Sequence, residues 1–168
     1  AFSKFLDLVA LGTIADVVPL DRVNRLLVEQ GLRCIRADKG SPGIRALLEV
    51  AGRDPRSACA SDLGFAAAPR LNAAGRMADI GVGIETLLAN DATTAKSHAQ
   101  SLEALNQERR AVERGMRAEA MADIATDSLN PGTTPDPLLC LFDERWHQGV
   151  VGIVAGRLKE LYQRPATM

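Results

Sequence analysis

The sequence predicts an α/β fold that is mostly helical over this stretch: a group of helices, one long connecting helix, and the start of an α/β unit. Three observations predict it. Amphipathic helical periodicity recurs from Val23 onward. Between Ala92 and about Ile124 the only helix breaker is Gly115, and no proline occurs. After a proline-rich stretch, the apolar run Leu138–Phe142 leads through a short turn into a helical pattern carrying Gly149, Gly152 and Gly156.

Taken in order, residues 3–11 read as a short helix with Phe5, Leu6 and Val9 on its apolar side. The run Gly12-Thr13-Ile14-Ala15-Asp16-Val17-Val18-Pro19-Leu20 then places one acid among apolar residues. A carboxylate taken out of water costs several kcal/mol, roughly, without a cation, metal or N–H donors around it. No Lys or Arg lies between Lys4 and Arg22, so a partner is not local in sequence. The run reads as a short buried element ending near a cleft; the alternative is a helix cap or turn. Val23–Arg36 is an amphipathic helix, with Leu26, Leu27, Leu32 and Ile35 opposed to arginines. Ser41 caps a helix whose first turn holds Pro42, with Ile44, Leu47 and Leu48 facing inward. A short helix begins at Ser61-Asp62 and is expected to stop at Pro69, leaving residues 70–80 as a connector. Gly83–Asn90 is another short helix.

The long helix carries a narrow stripe of Leu102, Leu105, Val112, Met116, Ala120 and Ile124, with Glu113 and Arg117 at i, i+4 spacing. It is too polar around its circumference for a core helix, and His98 on it reads as solvated. It is a connector resting one face on neighbours, or a short coiled-coil arm. Residues 130–137 are a linker by composition, Leu138–Phe142 a buried strand, and Gly149 to about Tyr162 a helix. The chain starts with Ala1 in an apolar helical pattern and stops at Pro165-Ala166-Thr167-Met168, where a strand is expected to begin. It reads as an internal piece of a longer protein.

Composition bounds the function. Aromatic content of 4% argues against a single-strand reader that works mainly by stacking. Cys34, Cys59 and Cys140 lack metal-ligand spacing and cannot all pair, which fits a reducing cytoplasm. No apolar run has the length of a membrane span, and no secretory signal is visible. Net charge is −1, yet residues 22–76 hold ten Lys or Arg against five Asp or Glu. That local excess hints at a polyanionic partner.

Two further segments can carry chemistry. In Pro69-Arg70-Leu71-Asn72-Ala73-Ala74-Gly75-Arg76, two guanidinium forks suited to phosphate oxygens flank Asn72 and Gly75. The alternative is a structural loop whose arginines pair with acids such as Asp79. In Trp146-His147-Gln148-Gly149-Val150-Val151-Gly152-Ile153-Val154-Ala155-Gly156-Arg157, three glycines share one helical face. That implies close packing on backbone or on a flat ligand, with His147 at the helix mouth as an anion contact or as a simple cap.

In this order, the Asp16 run, residues 69–76 and residues 146–157 resemble the DHH phosphoesterase superfamily, and within it the bacterial single-strand-specific exonucleases. The resemblance covers nearly the whole chain. It implies hydrolysis of single-stranded DNA from the 5′ end to mononucleotides, with Mn²⁺ or Mg²⁺, in DNA repair and recombination. It implies residues 1–90 as the C-terminal part of a DHH domain, 91–126 as the connector helix, and 127–168 as the start of a DHH-associated domain. Asp16 would match an acidic metal ligand. Asp16 and Arg76 would be catalytic, and Arg70, Asn72, Arg76 and His147 would bind substrate. Single-strand-binding protein and a helicase are the implied partners of a monomeric parent without membrane association. The family's Asp-His-His motif is missing from this stretch, so the piece alone is expected to be inactive. A phosphodiesterase for short oligonucleotides and a metal-free scaffold remain as the competing readings.

Overall fold

A computed structural model of the chain describes residues 2–128 and 137–168. A 3₁₀ turn (Phe2–Phe5) opens into α1 (Leu6–Ala15), which packs along α2 (Arg22–Arg36). Asp21 starts α2 by accepting the Asn24 N–H at 2.8 Å, and Val28, Leu32 and Ile35 face inward. The two helices meet backbone to side chain at Gly31. A methyl group there would lie 2.2 Å from the Leu6 carbonyl oxygen, so only glycine allows this approach. Helix α3 (Pro42–Val50) begins as expected: the Gly43 N–H donates to Ser41 Oγ at 3.2 Å, and Pro42 occupies the first turn.

Three helices end in the same way, with a residue in the left-handed region after the cap. Gly52 serves α3, Asp38 serves α2, and Val17 serves α1. A 3₁₀ turn (Pro55–Ser57) follows α3. The segment from Ala60 to Met77 then departs from expectation. Pro69 does not stop the helix. One α turn (α4, Ala60–Asp62) runs into a π segment (Leu63–Ala67) and on into α5 (Ala68–Met77). The wider π turn lets the proline ring sit at the start of α5 without meeting the carbonyl one turn back. Residues 70–77 are therefore helix, not connector.

Helix α6 (Gly81–Leu88) precedes α7 (Ala92–Ser128), whose 37 residues extend about 55 Å. Two compact units meet within α7, residues 1–106 and 107–168. In the first, Ala95, Ala99 and Leu102 of α7 join Leu11, Leu32, Ile44, Leu47, Leu48 and Leu63 in the core. In the second, Met116, Ala120 and Ile124 are buried together with Trp146, Val150, Val154 and Leu158. The predicted stripe is thus the inward face of α7, with Leu105 and Val112 half-buried. His98 is half-buried rather than solvated, with its Nδ1 inside.

The predicted linker lies outside the described residues except for Pro137. The predicted strand is shorter than expected. Only β1 (Leu139–Cys140) forms, pairing in parallel with β2 (Ala166–Thr167) across α8 (Val151–Tyr162). Leu139 is buried while Cys140 and Phe142 are exposed, because two short strands leave one face uncovered. No helix among the described residues is long and apolar enough to cross a membrane.

Candidate functional site

Asp16 is exposed at the C-terminal end of α1, not buried as the apolar run suggested. The helix ends at Ala15, so the residues beyond it leave the core: Val17 is 86% exposed, and Val18 and Leu20 face outward as well. The buried acid of this region is Asp7, at 2% exposure, whose Oδ2 accepts the Ser41 N–H at 2.5 Å. Among the described residues no hydrogen bond or ion pair engages the Asp16 carboxylate. It stands ready as an oxygen donor.

The backbone holding it is strained. The Val17 N–H donates to the Ile14 carbonyl and the Val18 N–H to the Thr13 carbonyl, closing a Schellman cap with Val17 at φ 53°. Glycine is the usual occupant of that position. A β-branched side chain in the left-handed region costs about 1–2 kcal/mol. Val17→Gly is expected to raise the melting temperature by roughly 2–4 °C, equivalent to about 1 kcal/mol. A scanning-calorimetry melt that falls instead would show the valine to be unstrained.

The last turn of α1 leans on the π segment. A methyl group on Gly64 would meet Ile14 Cγ2 at 3.1 Å. Phe65 beside it is 82% exposed. Seven and eleven residues further on, Asn72 and Arg76 are also exposed, so the three lie along one helical face. The residues reach the surface because Leu63, Ala66, Ala67, Ala73 and Ala74 take the inward face. Asp62 secures the start of this segment by accepting the Cys59 N–H at 2.9 Å, and that backbone bond holds its carboxyl below the ordinary range.

Arg70 does not share the exposed face. It is 7% exposed, its Nη1 donates to the Ala66 carbonyl at 2.7 Å, and its Nε lies 2.5 Å from Glu103 Oε2. The aligned hydrogen bond is the one to Ala66, and the Glu103 contact is an ion pair to α7. Arg70 therefore ties the π segment to α7 within the first unit, contrary to its expected role as a substrate contact. The residue sits one position after Pro69, on the inward side of α5, which the connector reading concealed.

His147 lies in the second unit, half-buried, and its Nδ1 accepts the Gly149 N–H at 3.1 Å. Nε2 then carries the proton. Upstream, hydrogen bonds from the Arg145 side chain pull the Asp143 carboxyl down to about 2, and Trp146 Nε1 donates to Glu119 of α7 at 2.8 Å. Of the two expectations for the glycine face of α8, packing on backbone is not seen: among the described residues nothing lies within 4 Å of where a methyl group on Gly152 or Gly156 would sit. α8 packs instead through Val150, Val154 and Leu158.

Among the described residues no cluster of three or more His, Cys, Asp or Glu side chains could hold a metal. Asp16 thus fits a hard divalent cation as one oxygen ligand, without completing its coordination. Two features escaped the sequence reading. Phe65 falls within the short helix expected from Ser61-Asp62, and only its i, i+7 register with Asn72 marks it. Of the α7 arginines only Arg117 stands out in the sequence, beside Glu113, although Arg110, Arg114 and Arg117 recur at helical spacing.

No protein-family model matches the chain. Individual proteins do. The chain is 56% identical over 97% of its length to the single-stranded-DNA-specific exonuclease RecJ of Dickeya dadantii. It is 52% identical, again over 97%, to RecJ of Escherichia coli. Over nearly its whole length the chain is similar to one part of RecJ. It spans 28% of the length of each of these RecJ relatives. The fold agrees: RecJ of Thermus thermophilus in complex with Mg²⁺ matches with a TM-score of 0.82 at 35% identity, over 98% of this chain and 25% of that one. An exonuclease RecJ bound to manganese matches with a TM-score of 0.79 at 36% identity, over 98% of this chain and 40% of its own.

Proposed function

We propose that this chain is the part of a metal-dependent exonuclease that supplies one metal-ligating carboxylate, Asp16, and a phosphate-facing helix surface, Asn72 and Arg76. The whole protein hydrolyses single-stranded DNA from the 5′ end to mononucleotides. The observation that carries this reading is the 56% identity, across nearly the whole chain, to a protein named for single-strand-specific exonuclease activity. The Mg²⁺ and Mn²⁺ in solved RecJ relatives support the same cations here. Residues 1–90 belong to a DHH domain, 91–126 to its connector and 127–168 to a DHH-associated domain. The piece alone is inactive, since one carboxylate cannot hold the metal site. The setting is DNA repair and recombination in the cytoplasm, by a monomer working with single-strand-binding protein and a helicase.

The residues have separable tasks. A divalent cation on Asp16 would activate water and offset charge on the phosphodiester. Arg76 presents a fork of N–H donors to non-bridging phosphate oxygens, and Asn72, one turn earlier, adds a neutral donor. His147 offers its Nε2–H to a phosphate while Nδ1 stays engaged with the backbone. Arg70 holds the π segment that carries this face.

The test uses the full-length protein carrying this segment, Mn²⁺, and single strands labelled at the 5′ or 3′ end. Mononucleotides released progressively from the 5′ end, faster from longer strands, are expected. Turnover confined to dinucleotides would replace this reading with the short-oligonucleotide phosphodiesterase, and binding without digestion would replace it with the scaffold. Arg76→Ala in the same protein is expected to lower kcat/KM about 10- to 100-fold, the cost of one charged hydrogen bond. Because Arg76 is exposed, the melting temperature should hold; gross destabilisation would make its role structural.

A further inference from the structure

A second basic surface lies wholly within the second unit. A cleft of about 310 Å³ is lined by Arg109, Arg110, Glu113, Arg114 and Arg117 of α7 with Ile153 and Arg157 of α8. Five cations surround one carboxylate, and every cation is arginine. Glu113 holds two of them at the wall, Arg109 at 2.8 Å and Arg157 at 3.8 Å. Arg157 also reaches Glu160 at 3.5 Å. Arg110, Arg114 and Arg117 are exposed, and among the described residues no acid pairs with them.

Like charges at i, i+3 and i, i+4 destabilise a helix by about 0.2–0.5 kcal/mol per pair. A row of three unpaired arginines therefore costs stability and returns nothing unless an anion meets it. The row advances about 6 Å and then 4.5 Å along the helix axis, a step comparable with the phosphate repeat of an extended nucleic-acid strand. Guanidinium forks match phosphate oxygens in pairs. The lining contains a single apolar side chain, Ile153, and so lacks the anchors an acidic peptide uses to dock.

We infer that this cleft is a backbone subsite for single-stranded nucleic acid, formed by Arg110, Arg114 and Arg117 and braced by Glu113. The inference rests on the exonuclease reading and adds a binding surface that the Asp16 centre does not include. Non-specific strand binding of this kind is set by the phosphates it neutralises, so its signature is salt dependence.

The experiment compares the full-length protein with its R110Q/R114Q/R117Q variant. Anisotropy of fluorescein-labelled oligo(dT) is titrated between about 50 and 200 mM salt without divalent metal, a range over which such contacts are sensitive. Loss of three contacts is expected to reduce the slope of log K against log salt by about 2, so the variant loses roughly 15- to 20-fold less affinity across the range. A triple lysine variant, which keeps the charges, should recover most of the slope. An unchanged slope in the glutamine variant of a protein that digests single strands overturns the subsite alone. Failure of the wild-type protein to digest them overturns the exonuclease reading instead. Competition by poly-glutamate that separates wild type from variant more strongly than oligo(dT) does would make the ligand an acidic peptide and overturn the inference.

Discussion

Replacing Asp16 by alanine in the full-length protein is expected to reduce Mn²⁺-dependent release of mononucleotides on the order of 1,000-fold, or about 4 kcal/mol in the barrier. The same change should leave the fold almost untouched. Asp16 caps a helix end without a side-chain partner among the described residues, and it is exposed. Exposed positions of this kind usually alter stability by less than about 0.5 kcal/mol. Two measurements separate the roles. Single-turnover digestion of end-labelled DNA reads the chemistry, and a melt with and without Mn²⁺ reads the ligand. Wild type should gain stability from the metal, since anything bound only by the native state raises its apparent stability. The variant should gain less. DNA binding should partly survive, because the arginines remain. Undiminished turnover in Asp16→Ala would remove it from the site.

Helix periodicity was legible wherever burial is one-sided. Leu32 and Ile35 on α2, and Leu102, Met116, Ala120 and Ile124 on α7, appear where the spacing places them, whereas Leu26, expected on the inward side of α2, is exposed and Val28 takes the inward place. Capping at Ser41 was equally legible, because a Ser-Pro pair before an apolar run has few other uses. Pro69 was misread because proline's usual effect assumes an α-helical ladder. The π turn at Leu63–Ala67 changes that ladder, and nothing in Leu-Gly-Phe-Ala-Ala announces it. The backbone packing expected at the glycine face of α8 is missing for a related reason. Spacing shows which residues share a face, but not whether that face meets another element.

The candidate site divides along the same line. Asn72 and Arg76 share an exposed face, and residue type together with the family resemblance was enough to propose them. Arg70 has the same chemistry and lies two positions before Asn72, yet it points to Glu103. Helical phase separates these residues, and the connector reading carried no phase. The arginine cleft depends on α8 approaching α7 within the second unit, a tertiary fact that sequence spacing along α7 only half reveals.

Asp7→Ala is expected to have the opposite profile to Asp16→Ala. The Asp7 carboxylate is buried against the N-terminus of α3, where it accepts the Ser41 N–H, while Ser41 Oγ donates to the Leu87 carbonyl at 3.0 Å. One side chain thereby fixes α1 to the start of α3, and through Ser41 to α6. The N-terminal end of a helix also favours a negative charge. Truncation leaves a half-buried N–H without its acceptor and removes a charged hydrogen bond, at about 2–3 kcal/mol. For a chain of this size the melting temperature should fall by roughly 5–10 °C. Asp7→Asn keeps a carbonyl oxygen facing Ser41 and should recover more than half of the loss, whereas a shape defect alone would give no such rescue. Asp7→Ala melting within about 1 °C of wild type would mean that the Ser41 N–H finds another acceptor. Sequence reasoning assigned burial to Asp16 because apolar residues surround it in the chain. Burial follows helix phase instead: Asp7 lies on the inward side of α1, while Asp16 lies past its last turn. The acid that the core keeps serves the fold, and the acid at the helix end stands in solvent without a partner among the described residues.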